Sequence, residues 1–175
     1  MVTRFTDVDT LCKKVGANAQ HWCAVNVDEC FFGDFPSLSQ LKALGNNTPQ
    51  IWLIIHLANL SEFCGARDKL NDDQLYDLAS IITTEFYYLK ITELMLFFHR
   101  FKAGKYGRFY GSVDPLIIVE ALHKFCKERG QAIDKRDREE KQRLREQAAA
   151  EAVTWEEYKE KYTVTNETNP FERCK

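Results

Sequence analysis

The sequence predicts an all-α protein, a helical bundle that carries a long charged helical extension at its C-terminal end. Three observations point there. Apolar residues recur at the i, i+3, i+4 spacing of one helix face in segment after segment. Only four prolines and eight glycines punctuate the 175 residues, and they fall where such segments would end. No segment reads as a strand, and none repeats.

In chain order, Thr6 or Asp7 is positioned to cap a short helix with Val8, Leu11, Cys12 and Val15 on one face and Gly16 as its stop. A second short helix is expected around Trp22, and Phe31-Phe32-Gly33-Asp34-Phe35-Pro36 reads as a loop pinned by its aromatic rings. Ser37 caps a short helix to Leu44, closed by Gly45, and Pro49 opens a helix that runs to Cys64. This helix is apolar nearly all round (Ile51, Trp52, Leu53, Ile54, Ile55, Leu57, Leu60), the pattern expected of the central helix of a bundle. Asn71 with Gln74 forms a capping-box pair ahead of Leu75, Leu78, Ala79, Ile82 and Phe86. Thr92 is the expected cap of the next helix, with Leu94, Phe97, Phe98 and Phe101 on one face and Gly104 as its stop. After a loop, Asp114-Pro115 pairs a cap residue with a first-turn proline and opens a helix bearing Ile118, Leu122 and Phe125.

Beyond Cys126 the character changes. Residues 127–146 hold eight basic and six acidic side chains, and only Ile133 and Leu144 are large and apolar, too few for a coiled-coil seam. Asp134 with Arg138, Asp137 with Lys141 and Glu139 with Arg143 have the acid-before-base spacing that supports a solvated helix. Ala148, Ala149, Ala150, Ala152, Val153 and Trp155 then restore a packing surface, and Thr154 with Glu157 marks a last short helix. The expected organisation is a helical core at 1–126, a charged extension at 127–162 and a flexible tail at 163–175.

A formal net charge of −2 gives no global attraction to nucleic acid or anionic membrane, so any such binding must come from a local patch. The most apolar run, residues 51–60, is interrupted by His56 and Asn59 and falls far short of the ~20 residues needed to cross a bilayer. No apolar leader follows Met1, which makes the cytoplasm the expected compartment and the six cysteines (Cys12, Cys23, Cys30, Cys64, Cys126, Cys174) reduced thiols. Cys12, His21, Cys23 and Cys30 crowd together with zinc-ligand chemistry, but without a Cys-x-x-Cys pair they read as buried thiols, and no metal or cofactor is expected.

The segment that concentrates chemistry is His99-Arg100-Phe101-Lys102-Ala103-Gly104-Lys105-Tyr106-Gly107-Arg108-Phe109-Tyr110, with no acid between Glu93 and Asp114. Interleaved cations and rings suit a nucleic-acid backbone with stacked bases, and glycines let a backbone approach phosphates closely. Arg100, Lys102, Lys105, Tyr106 and Arg108 are therefore the candidate nucleic-acid-binding residues. The competing reading is structural: Phe101, Tyr106, Phe109 and Tyr110 anchor an ordered loop while the cations face water. No catalytic residue is assigned. Glu62, Glu85, Glu93, Asp114 and Glu120 show no pairing, His56 and His123 read as core or boundary histidines, and hydrolase, metalloprotease and dinucleotide motifs are absent.

The run from Glu93 to Pro115, above all its Gly-Lys-Tyr-Gly-Arg-Phe-Tyr stretch, resembles a family of uncharacterised small helical proteins of gut-type bacteria, their phages and mobile elements, over residues 38–129. The family has no known activity, so the resemblance implies no catalytic residues. In size and helical architecture the chain is also similar to small phage proteins that load or organise replicative helicases, an analogy of class alone. The expected function is a non-enzymatic accessory factor in DNA transactions, engaging nucleic acid or a nucleic-acid enzyme. The alternative is a structural or protein-interaction component that docks through the charged extension and the stretch near Trp155. A protein partner is expected in either case; the oligomeric state is left open.

Overall fold

The computed structural model describes residues 18–152 and 155–163, with side chains through Lys159. The expected helix at 6–16, Cys12, the Thr154 cap, Val153 and the tail from residue 164 lie outside these residues. The chain is all-α. Its helices are α1 (Ala19–Val25), α2 (Val27–Phe32), α3 (Leu38–Leu41, extended by a 3-10 turn at Lys42–Leu44), α4 (Thr48–Phe63), α5 (Asp72–Glu85), α6 (Ile91–Lys102), α7 (Pro115–Glu151) and α8 (Trp155–Thr163). No strand occurs among the described residues. Isolated bridges join Ser37 to Lys90 and Asp68 to Ser112.

Local chemistry accounts for most helix starts. Ser37 and Gln40 close one capping box, and Asn71 and Gln74 another, with Gln74 N donating to Asn71 Oδ1 at 2.8 Å. Asp114 Oδ1 accepts from Leu116 N at 2.8 Å ahead of Pro115. Thr92 is not the cap of α6. Lys90 takes that place, its N–H donating to Glu93 Oε2 at 2.8 Å, while Thr92 is buried with its hydroxyl donating to the Cys30 carbonyl at 3.1 Å.

The centre of the bundle is α6, not α4. Eight of the twelve α6 residues are buried, and Phe97 meets Phe98, Phe101, Tyr106 and Phe125 at centroid distances of 5.4 to 5.8 Å. Helix α4 buries Leu53, Leu57 and Leu60 but leaves Ile51 58%, Ile55 61% and Phe63 60% exposed. An apolar circumference is necessary for a central helix but does not by itself supply neighbours on every side. Long aromatic side chains on α6 reach partners in several helices at once, and that decides which helix is enclosed.

Two compact units divide the chain between Gln131 and Ala132. In the first, Glu128 and Arg129 pair with groups of the bundle, a turn beyond the sequence boundary at Cys126. The helix continues unbroken through Gly130. In the second unit, the charged part of α7 carries i, i+4 contacts other than the expected pairings: Lys135 pairs with Glu139 and Gln142 donates to Glu146, while Arg138 donates to the backbone carbonyl of Asp134 and not to its carboxylate. Its alanines at 148–150 are exposed. In α8, Trp155 stacks on Tyr158 at 5.7 Å and remains 67% exposed.

Candidate functional site

The last turn of α6 carries His99, Arg100 and Lys102, where positive charge complements the exposed carbonyls of a helix C-terminus. Gly104 (φ +80°) and Gly107 (φ +114°) then turn the chain through conformations that side-chain-bearing residues rarely adopt. The rest of the loop is tied down by Asp68, whose N–H donates to Gly111 O at 3.2 Å and whose carbonyl accepts from Val113 N at 2.9 Å.

Three of the five predicted binding residues converge on one oxygen of α7. Glu128 Oε2 accepts from Arg100 Nη1 at 2.9 Å, Lys105 Nζ at 2.7 Å and the Tyr106 hydroxyl at 3.4 Å. Arg100 also lies 6.0 Å from the Phe31 ring centroid and 5.9 Å from that of Phe125. Tyr106 is buried against Phe97, and burial, reinforced by the Glu128 charge, pushes its hydroxyl up to about 12, so it remains a donor at neutral pH. These three side chains form a clasp that ties the end of α6 and the loop to α7, so Arg100 and Lys105 engage a carboxylate where the structural reading has the cations face water. Of the rings expected to anchor the loop, Phe101, Tyr106 and Phe109 do so, with Phe109 stacked on Phe101 at 5.4 Å. Tyr110 does not; it is 89% exposed.

Lys102 and Arg108 behave differently. Lys102 Nζ donates to two neutral oxygens, Asn59 Oδ1 at 2.5 Å and Gln20 Oε1 at 3.0 Å, and lies 5.4 Å from the Phe63 ring centroid. It has no carboxylate partner among the described residues, and burial holds its ammonium below the usual lysine range. Arg108 is exposed and makes no ion pair among the described residues. Both line one cleft of about 280 Å³ with Phe63, Cys64, Phe101, Gly104 and Phe109, and its lining contains no acidic side chain. A Cβ added at Gly104 or Gly107 would meet nothing within 4 Å, so the glycine side of the cleft is open.

Burial shifts two titratable groups near the cleft. Burial pushes the Cys64 thiol up, partly offset by Lys102. His56, between Trp52 and Phe98, is pulled down to about 4 by burial and by Lys102, and is uncharged at neutral pH. His123 is exposed beside Phe86. Of the cysteine-histidine group, Cys12 lies outside the described residues. Cys30 Sγ donates to the Cys23 carbonyl at 3.4 Å, and the neighbouring Cys30 thiol, followed by burial, holds the Cys23 thiol well above its ordinary range. Among the described residues no three His, Cys, Asp or Glu side chains gather as a metal site, and no helix is long and apolar enough to cross a membrane.

Sequence reasoning missed the most deeply buried charge. Glu93 is fully buried, its Oε1 accepting from Arg129 Nε at 2.6 Å and its Oε2 from Lys90 N. Lys90 Nζ in turn donates to the carbonyls of Phe31 and Gly33, both at 2.8 Å. The only signal available was the solitary acid at the third position of a helix whose next five residues are all apolar.

A family profile described as a family of unknown function matches residues 69–169, which include the loop, the Glu128 clasp and all of α7. No curated protein matches the chain, and no solved structure does.

Proposed function

The chain belongs to a family of unknown function, DUF6633, so its role has to be read from its own surfaces, and we propose that it is a non-enzymatic accessory factor in DNA transactions. The setting we infer is the cytoplasm of a bacterium, in replication or helicase loading for a phage or mobile element. The reading is supported by one observation above all. Lys102 and Arg108, the two cations of the basic segment with no carboxylate partner among the described residues, line the same acid-free cleft beside Phe63 and Phe109. Uncompensated cations beside aromatic rings are what a nucleic-acid strand requires. Arg100, Lys105 and Tyr106 support this contact indirectly, by holding the loop that presents Arg108.

Fluorescence anisotropy of labelled DNA against the full chain tests direct contact. Binding is expected at low salt and falls as salt rises, with a shallow slope of about −1 to −2 for two phosphate contacts. Arg108→Glu abolishes it. Absence of binding at low salt, or unchanged binding by the Arg108→Glu variant, refutes direct DNA contact.

A second reading, a protein-interaction or particle component, is favoured by the Trp155–Tyr158 pair, a stacked aromatic surface left open to solvent. Co-purification from the native host with Trp155→Ala distinguishes it, since a docking role predicts loss of the partner.

A further inference from the structure

The cleft carries a more specific assignment, which rests on the nucleic-acid reading above. We propose that it takes one unpaired nucleotide of a single strand, the base lying against Phe63 and the backbone phosphate on Arg108, so that the protein selects single-stranded over duplex DNA.

Three features favour an unpaired base. First, about 280 Å³ lies just below the usual range of small-ligand pockets, room for one base unit at most and not for the width of a duplex. Second, phosphate contact alone is a weak handle here. Two uncompensated cations on a chain of net charge −2 neutralise few phosphates, so a ligand that offers only its backbone gains little. Stacking has to supply the remainder, and a base presents its face only when it is out of the duplex.

Third, the rings are available. Phe63 remains 60% exposed even with the Lys102 ammonium near it, and Tyr110, next in the chain to Phe109, offers a second open ring for the neighbouring base. The glycine side is kept clear by backbone conformation, because the positive φ values at Gly104 and Gly107 disfavour any side chain there. The carbonyl ends of α4 and α6 close nearby at Cys64 and Ala103, and Lys102 offsets their negative character at the place a phosphate would approach.

The experiment titrates the full-length protein against three labelled probes of equal length: oligo-dT, a DNA duplex and oligo-U. Oligo-dT is expected to bind at least tenfold tighter than the duplex, and oligo-U shows whether RNA can supply the same base-plus-phosphate unit. Phe63→Ala lowers single-strand affinity about tenfold with an unchanged salt slope, as loss of stacking requires, and Phe63→Trp restores it. Arg108→Gln lowers affinity and flattens the salt slope by about 0.7, the value for one single-strand phosphate contact. Circular dichroism confirms that each variant is folded. Duplex binding as tight as single-strand binding, or equal affinities for the wild-type, Phe63→Ala and Phe63→Trp proteins, overturns this assignment while leaving DNA contact intact. No binding to any probe overturns both.

Discussion

His56 shows how one buried ring makes stability depend on pH. It sits 4.4 Å from the Trp52 ring and 5.7 Å from that of Phe98, and burial with Lys102 nearby pulls its imidazole down to about 4. In the unfolded chain the ring returns to about 6.5, so as pH falls the unfolded state takes up its proton first. The His56 contribution is therefore intact above about pH 6.5 and is lost progressively down to about pH 4. Allowing for partial exposure of the ring, the loss amounts to about 1–2 kcal/mol. Urea unfolding at about pH 7 and about pH 4.5 is expected to show a larger drop for the wild type than for His56→Phe. Equal drops would remove His56 from the account. Glu93 makes a different point at this scale. Its partner Arg129 lies 36 residues away in a charge run that reads as solvated, and only the fold brings them to 2.6 Å.

Among the elements, the loop between α6 and α7 depends on Glu128. Removing that carboxylate leaves Arg100 and Lys105, two like charges, without their shared partner. Glu128→Ala is expected to cost about 1–3 kcal/mol, and hydrogen exchange should show loss of protection at the Lys105 and Gly107 amides. Retained protection would mean that aromatic packing alone holds the loop. The helix starts were legible because caps are local: Ser37, Asn71 and Asp114 each satisfy a backbone N–H within three residues. The ranking of α4 and α6 was not, because enclosure depends on which neighbours arrive, and hydropathy along one helix contains nothing about that. The same limit applies to the basic segment. Its charge and rings could be read from the sequence, but the acid that engages Arg100, Lys105 and Tyr106 lies on another helix, inside a run of mixed charge.

At the scale of the whole molecule, the division between Gln131 and Ala132 has a direct test. The first unit holds the aromatic core around Phe97, the Glu93–Arg129 pair and the Glu128 clasp. A chain ended at Gln131 is expected to keep a single cooperative unfolding transition, with a midpoint within a few degrees of the full-length protein. A chain ended at Cys126 loses both Glu128 and Arg129 and leaves Glu93 as a buried carboxylate without its cation, which costs about 3–5 kcal/mol. Identical midpoints for the two truncations would show that neither ion pair supports the bundle.

The family match covers only part of the cleft. Phe101, Lys102, Gly104, Gly107, Arg108 and Phe109 fall within the matched residues 69–169, whereas Phe63 and Cys64, and the Asn59 and Gln20 that steady Lys102, fall outside them. The Glu128 clasp lies wholly inside. Exchanging Phe63 alone therefore changes one wall of the cleft while the Glu128 clasp that holds the loop opposite is untouched.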